Sequence, residues 1–167
     1  MKIPVFVSCP TRLTNEQAVS RQLVLAELER YELEPRALGR SDYPTDLPLR
    51  EVYVIAKHCS GAVILGFEQF CANSGSWNRG VADRITVDKP VMFPTPWNHL
   101  EAGVMFGMGI PILVFREPEV TGGVFDNGVT DAFIHRMPTD KMDEGDRSGF
   151  TQVFLKWQAR VRDHYYR

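Results

Sequence analysis

Residues 62–67 read AVILGF, an uninterrupted apolar run that predicts a strand covered on both of its faces. Residues 112–115 read ILVF and predict a second strand of the same kind. Runs of this type are typical of the central strands of parallel sheets, because helices cover both faces of those sheets. The two segments therefore favour a parallel α/β core over a half-exposed antiparallel sheet.

Helical segments alternate with the strands along the rest of the chain. The first strand is predicted at 3–8, and Pro35 makes the weak strand at 34–38 an edge strand. Helices are predicted at 14–32, 49–58, 97–108 and 150–165, and a further strand at 132–135. Loops are predicted at 68–96 and 138–149. The loop at 68–96 is expected to contain a helical turn at 68–72 and a short strand within 85–93. This order predicts a flavodoxin-like (Rossmann-like) parallel sheet of about five strands with helices on both faces.

Length and composition restrict the classes of protein to which this chain can belong. The chain has 167 residues, which suits a single domain spanning 1–167, and its net charge of -2 argues against a nucleic-acid or anionic-membrane partner. It has three cysteines and four histidines, without a C-x-x-C or H-x-x-x-H pair, so neither a disulfide framework nor a metal site is expected. We expect a cytoplasmic protein that needs no cofactor.

A lone acid, Glu101, begins the helix that leads into the strand at 112–115, and it follows Trp97 by one helical turn. In parallel α/β folds, ligands bind at the carboxyl ends of the strands. Three segments should meet there, namely residues 8–12, residues 67–70 and the loop before Glu101. The acid is therefore either a partner of the helix dipole or the working group of a ligand site.

The residue types around Glu101 suit a nucleotide. A carboxylate beside aromatic side chains can stabilise or attack the cationic anomeric carbon of a sugar. Trp97 can stack on a base or on a nicotinamide ring, or pack in the core. Ser8 and the backbone N–H groups at the start of the first helix can hold phosphate or a ribose hydroxyl, while Cys9 is either a nucleophile or a buried thiol. The predicted substrate-binding residues are Ser8, Cys9, Pro10, Phe67, Trp97 and Asn98, and the predicted catalytic residue is Glu101.

Three motifs in this order resemble the nucleoside 2-deoxyribosyltransferase-like and TIR-like superfamily: VFVSCP, AVILGF and WNHLEAGVMFGMGIPILVF. Deoxyribosyltransferases carry an acid before a glycine-rich run that ends in proline, to which residues 101–111 are similar. TIR domains that hydrolyse NAD carry a glutamate four residues after a tryptophan, the spacing from Trp97 to Glu101. The resemblance implies a flavodoxin-like fold and cleavage or transfer at an N-glycosidic bond, with Glu101 as the catalytic carboxylate.

The same resemblance leaves other functions open. Deoxyribosyltransferases have an aspartate in the turn before the glutamate, where this chain has Phe-Pro-Thr-Pro at residues 93–96. A binding module that recognises a nucleotide-derived signal without breaking a bond is therefore an alternative. TIR-like domains also assemble, so a homo-oligomer is a third expectation. In each case NAD, a nucleotide or a nucleoside would be a substrate or ligand.

Overall fold

A parallel five-stranded sheet forms the centre of the molecule. The computed structural model describes residues 2–37 and 47–167. The strands of this sheet are β1 (Ile3–Ser8), β2 (Leu33–Arg36), β3 (Ala62–Gly66), β8 (Ile112–Arg116) and β9 (Ile134–Arg136). They lie in the order β2-β1-β3-β8-β9, and every neighbouring pair is parallel. This order is that of a flavodoxin-like α/β fold, so the predicted fold class is confirmed.

Within the described residues, four α-helices cover the two faces of the sheet: α1 (Asn15–Arg30), α2 (Pro48–Ala56), α3 (Pro96–Gly107) and α4 (Glu144–Tyr165). Apolar side chains of α1 and α4 pack with Val63 and Leu65 on one face. Those of α2 and α3 pack with Ala62 and Ile64 on the other. Every residue of β3 is buried, which explains why its sequence is continuously apolar.

The weak strand predicted at 34–38 is the edge strand β2, and Pro35 lies opposite Val5 in its register. A proline is tolerated there because an edge strand needs fewer ladder hydrogen bonds. Residue 38 lies outside the described residues, and so does the greater part of residues 40–48, a polar stretch with two prolines that predicts a loop.

The prediction for residues 68–96 was wrong in one part. The helical turn expected at 68–72 is instead a strand, β4 (Phe70–Ala72), which pairs with β7 (Val91–Phe93) in antiparallel fashion. A second short ladder joins β5 (Gly75–Trp77) to β6 (Ile85–Val87). The short strand predicted within 85–93 corresponds to β6 and β7, whereas β4 and β5 were not predicted, because they are three residues long and depend on partners distant in sequence.

The prediction of a loop at 138–149 was also wrong for the second half of that segment, because α4 begins at Glu144. Asp143 caps this helix, and its carboxylate accepts a hydrogen bond from the backbone N–H of Asp146 at 2.8 Å. Glu144 and Asp146 lie in the first turn, where acids interact favourably with the helix dipole. The acidic composition that indicated a loop is therefore the start of a helix.

No helix within residues 2–37 and 47–167 has both the length and the apolar character needed to cross a lipid bilayer.

Candidate functional site

A small cleft opens where β1, β3 and α3 meet at the carboxyl edge of the sheet. Its volume is about 290 Å³. The side chains that line it are Cys9, Pro10, Thr11, Gln69, Thr95, Trp97 and Glu101. The cleft thus combines the turn after β1, the segment after β3 and the start of α3. These are the three segments that the sequence predicted to meet, and we call this site the Glu101 cleft.

The start of α3 fixes the two side chains that face the cleft. Thr95 caps the helix, and its hydroxyl accepts a hydrogen bond from the backbone N–H of Trp97 at 3.3 Å. Pro96 occupies the first turn, where its missing N–H costs nothing. Trp97 and Glu101 are four residues apart and share a helix face. The indole is 41% exposed, so it presents an open aromatic surface beside the carboxyl group.

The carboxyl group of Glu101 has an unusual acidity. Burial raises its pKa to about 7 from the usual 4.5, and a hydrogen bond from the Ser8 hydroxyl opposes part of that rise. Burial has this effect because the charged form loses hydration that the neutral form does not need. Near neutral pH the group is therefore present in both protonation states, a property typical of groups that move protons or attack a substrate.

Ser8 and Asn98 are buried next to Glu101. They are 1% and 0% exposed, and the Asn98 Nδ2 lies 2.8 Å from the Ser8 Oγ and 3.4 Å from the Leu65 carbonyl oxygen. Both residues were predicted to contact the substrate directly. Their lack of exposed surface corrects that assignment, since in this structure their contacts are with protein atoms.

Phe67 was also predicted to contact substrate, and the structure places it elsewhere. Its side chain is 0% exposed and packs with Val63 and Leu65 against α1 and α4. Alternate residues of a strand point to opposite faces of the sheet. Phe67 follows Val63 and Leu65 in this alternation and so lies on the face opposite α3 and Glu101. The assignment is corrected to core packing.

Cys9 and Pro10 line the cleft, and Cys9 is half-buried. Its thiol donates a hydrogen bond to the Pro10 carbonyl oxygen at 3.5 Å. Thr11, Thr95 and Gln69 also line the cleft, although the sequence analysis did not name them individually. The positions of Thr11 and Gln69 after two predicted parallel strands were a usable signal, because such turns converge on the ligand site.

A larger cavity of about 530 Å³ lies between β9 and the start of α4, against Phe115, Phe150 and Met137. Size alone would favour it as the site. The Glu101 cleft is the better candidate, because it combines a perturbed carboxyl group with an exposed aromatic ring at the carboxyl ends of central strands. Among the described residues, no three His, Cys, Asp or Glu side chains come together where they could hold a metal ion.

The raised pKa of Glu101 predicts how stability depends on pH. Between about pH 4.5 and 7 the folded chain keeps a proton that the unfolded chain releases, so the free energy of unfolding should fall as pH rises. Glu101→Gln does not titrate and should gain stability relative to the wild type over this window, by at most about 3 kcal/mol. Urea unfolding of both proteins from pH 4 to 8 measures this difference. A constant difference across that range would contradict the burial of the charged group.

The chain matches no family model and no curated protein. Among solved structures it is similar to the CMP N-glycosidase BcmB of Clostridium botulinum. The identity is 14%, the TM-score is 0.53, and the match covers 91% of this chain and 99% of that one. A likeness at this identity shows a shared fold. We conclude that the chain has the same flavodoxin-like architecture as a structurally characterised N-glycosidase.

Proposed function

We propose that the Glu101 cleft cleaves or transfers at the N-glycosidic bond of a nucleoside or nucleotide, NAD included, with Glu101 as the catalytic carboxylate. One observation carries the proposal. A half-buried carboxyl group with a pKa of about 7 faces a small cleft, and a half-exposed indole lies one helical turn away on the same face. The TIR-like and deoxyribosyltransferase-like resemblance of the sequence points to the same group.

The chemistry needs a negative charge on one side of the sugar. As the C1′–N bond breaks, its electron pair leaves with the base, and C1′ becomes positive. The ionised Glu101 either attacks C1′ to form a glycosyl ester or stabilises the cation. Water or an acceptor base then forms the new bond to C1′, with cleavage of the ester bond in the first case, and the proton it gives up balances the proton that the departing base takes. Burial strengthens this interaction, because charges attract more strongly where water is excluded.

The shape of the cleft favours a compact substrate. Its volume of about 290 Å³ lies just below the roughly 300–1,000 Å³ range of ligand sites. One nucleoside unit suits this space better than a complete dinucleotide, of which one half would extend outside the cleft. The similar solved structure is that of a CMP N-glycosidase, and this supports glycosidic-bond chemistry as the reaction class that we propose for this chain.

The proposal is tested by incubating the protein separately with nucleosides, deoxynucleosides, their 5′-monophosphates and NAD. Chromatography then separates the free base from the intact compound. A second set of reactions includes an unrelated free base, so that transfer is distinguished from hydrolysis. We expect base release from at least one of these compounds. If none releases a base above the rate without protein, the proposed reaction is wrong.

A nucleotide-binding function without turnover is the second candidate. The observation that favours it is the composition of the cleft wall, in which Glu101 is the one carboxylate among the lining residues that the structure describes. Glycosidases commonly use two carboxylates. Calorimetry with the same compounds would show tight binding by a protein that releases no base. Assembly into dimers or filaments stays a prediction, which sedimentation at several protein concentrations would test.

Trp97 is expected to bind the base by stacking, because its exposed ring lies beside Glu101. Trp97→Ala should weaken substrate binding by roughly 10- to 100-fold, since a base–aromatic stack is worth about 1–3 kcal/mol. Trp97→Phe should retain most of the affinity. Trp77→Ala is the matched control, because Trp77 is also about half exposed but does not line the cleft. An equal effect of the two alanine substitutions would contradict a stacking role.

A further inference from the structure

A second cavity lies on the other side of α3 from the Glu101 cleft. Residues two apart on a helix point about 200° apart, so His99 and Gly103 face away from Trp97 and Glu101. These two residues form part of one wall of a cavity of about 460 Å³. Residues 121–124 and 129–130, in the connection from β8 to β9, form the facing wall. We call this space the His99 cavity.

The walls of the His99 cavity are largely apolar and carry no acidic or basic chain other than the imidazole. Phe93, Phe106 and Val129 contribute apolar surface, and the last two are 50% and 55% exposed at the rim. Among the lining residues that the structure describes, none is Asp, Glu, Lys or Arg. A charged ligand would lose hydration here without gaining an ion pair. The cavity therefore suits an uncharged ligand.

Two polar side chains in this cavity can hydrogen-bond to a ligand. The ring of His99 is half-buried and packs edge-on against Phe125, with ring centroids 5.5 Å apart. Neither ring nitrogen forms a hydrogen bond within residues 2–37 and 47–167. Burial lowers the pKa of His99 and the Asp126 carboxylate opposes part of that change, so the ring is neutral near pH 7 and can both donate and accept. The Thr130 hydroxyl accepts from the backbone N–H of Ala132 at 3.2 Å, which leaves its own proton to donate.

Two glycines keep the cavity open. Glycine inside a helix lowers the stability of that helix relative to alanine. Gly103 lies inside α3, yet a Cβ there would meet no atom within 4 Å, so close packing does not require a glycine. At Gly123 φ is +56°, and a Cβ would lie 2.8 Å from the His99 Nδ1. Gly123 thus lets the loop lie against the imidazole, while Gly103 leaves space that a side chain would occupy.

We propose that the His99 cavity binds an uncharged, planar heteroaromatic molecule of one or two rings, such as a free nucleobase or nicotinamide. Its volume of about 460 Å³ lies within the roughly 300–1,000 Å³ range of ligand sites. Phe93 and Phe106 provide the apolar surface for the rings, and His99 and Thr130 hydrogen-bond to the ring heteroatoms or substituents. The inference concerns binding alone and does not depend on the reaction proposed for Glu101.

Nitrogen-15 NMR tests the inference with adenine, nicotinamide and nicotinate as probes. Nicotinate has the shape of nicotinamide but carries a carboxylate. The two uncharged probes should shift the amide signals of Gly103, Gly122 and Gly123 to saturation, with dissociation constants of about 1 mM or lower. Nicotinate should bind at least about tenfold more weakly, because its charge would lose hydration without a partner. Absence of saturable shifts with both uncharged probes, or equal binding of nicotinate and nicotinamide, would overturn the inference.

Filling the cavity should remove the binding. Gly103→Leu should weaken the binding of adenine and nicotinamide at least about tenfold, because its side chain occupies the space of the ligand. Gly107→Leu is the matched control, since Gly107 is in the same helix and a Cβ there also meets no atom within 4 Å, but it does not line the cavity. Its affinity should stay within about twofold of the wild type. Equal effects of the two leucine substitutions would contradict binding in the His99 cavity.

Two further variants keep the test decisive. If Gly103→Leu does not fold, His99→Phe replaces it, because phenylalanine keeps an aromatic ring without the ring nitrogens. It should weaken binding by roughly 3- to 10-fold, and unchanged affinity would count against the inference. Trp97→Ala should leave the titration of the glycine signals unchanged, because Trp97 lines the Glu101 cleft instead. Loss of these shifts in Trp97→Ala would place the ligand in that cleft and overturn a separate site.

Discussion

Glu101→Gln is expected to reduce base release by at least about 1,000-fold, because a neutral amide can neither attack C1′ nor balance its positive charge. The substitution preserves the size of the side chain and can still accept a hydrogen bond from Ser8. The substrate should therefore still bind, with a dissociation constant within about tenfold of the wild type. Chromatography of released base and calorimetry of the same protein preparation provide the two measurements.

The wild-type rate should also depend on pH through this group. Its pKa of about 7 means that the anion becomes the major form above neutrality. The rate should rise through pH 7 and then level off if the anion is the reacting form, and it should fall if the protonated acid reacts. Loss of ligand binding in Glu101→Gln, together with an unchanged rate per bound complex, would mean that Glu101 binds the ligand but does not take part in the reaction.

Phe67→Ala is expected to lower the free energy of unfolding by about 3–5 kcal/mol, the usual cost of removing a fully buried aromatic ring. Phe67 is 0% exposed and packs with Val63 and Leu65 on the sheet face opposite the cleft. Urea unfolding followed by circular dichroism measures the change. At temperatures where the variant remains folded, its affinity for the ligand should equal that of the wild type.

Phe133→Ala is the matched control, because this phenylalanine is 83% exposed and its removal should change stability by no more than about 0.5 kcal/mol. If Phe67→Ala kept wild-type stability but lost ligand binding, the packing role would be wrong and Phe67 would belong to the site after all.

The fold was predictable because it is encoded in local patterns that tertiary contacts reinforce. The apolar run of β3 is continuous since both of its faces are covered by helices. Pro35 correctly marked an edge strand. The short strands β4 to β7 were harder to predict from the sequence, because their pairing joins residues such as Phe70 and Phe93, which are distant in the chain. The N-terminal turns of α4 were missed because acidic capping residues have the composition of a loop.

The site was predictable as a place, but not residue by residue. Strand order brings the segments after β1 and β3 to the start of α3, and the helical period places Trp97 and Glu101 on one face. Neighbouring residues on a helix point in directions about 100° apart, so Asn98 turns inward while Trp97 faces the cleft. The burial of Ser8 and Asn98, and the burial of Glu101 that raises its pKa, depend on packing that a single sequence does not display.

A single-turnover reaction tests most directly whether the Glu101 cleft breaks an N-glycosidic bond. Wild type and Glu101→Gln are each mixed in excess over the compound that calorimetry identifies as the tightest ligand, labelled in its base, and the label is separated by chromatography over time. We expect complete release of the labelled base by wild type, while the variant holds the compound intact. Recovery of the intact compound from both proteins, despite binding by both, would contradict catalysis and establish a binding module.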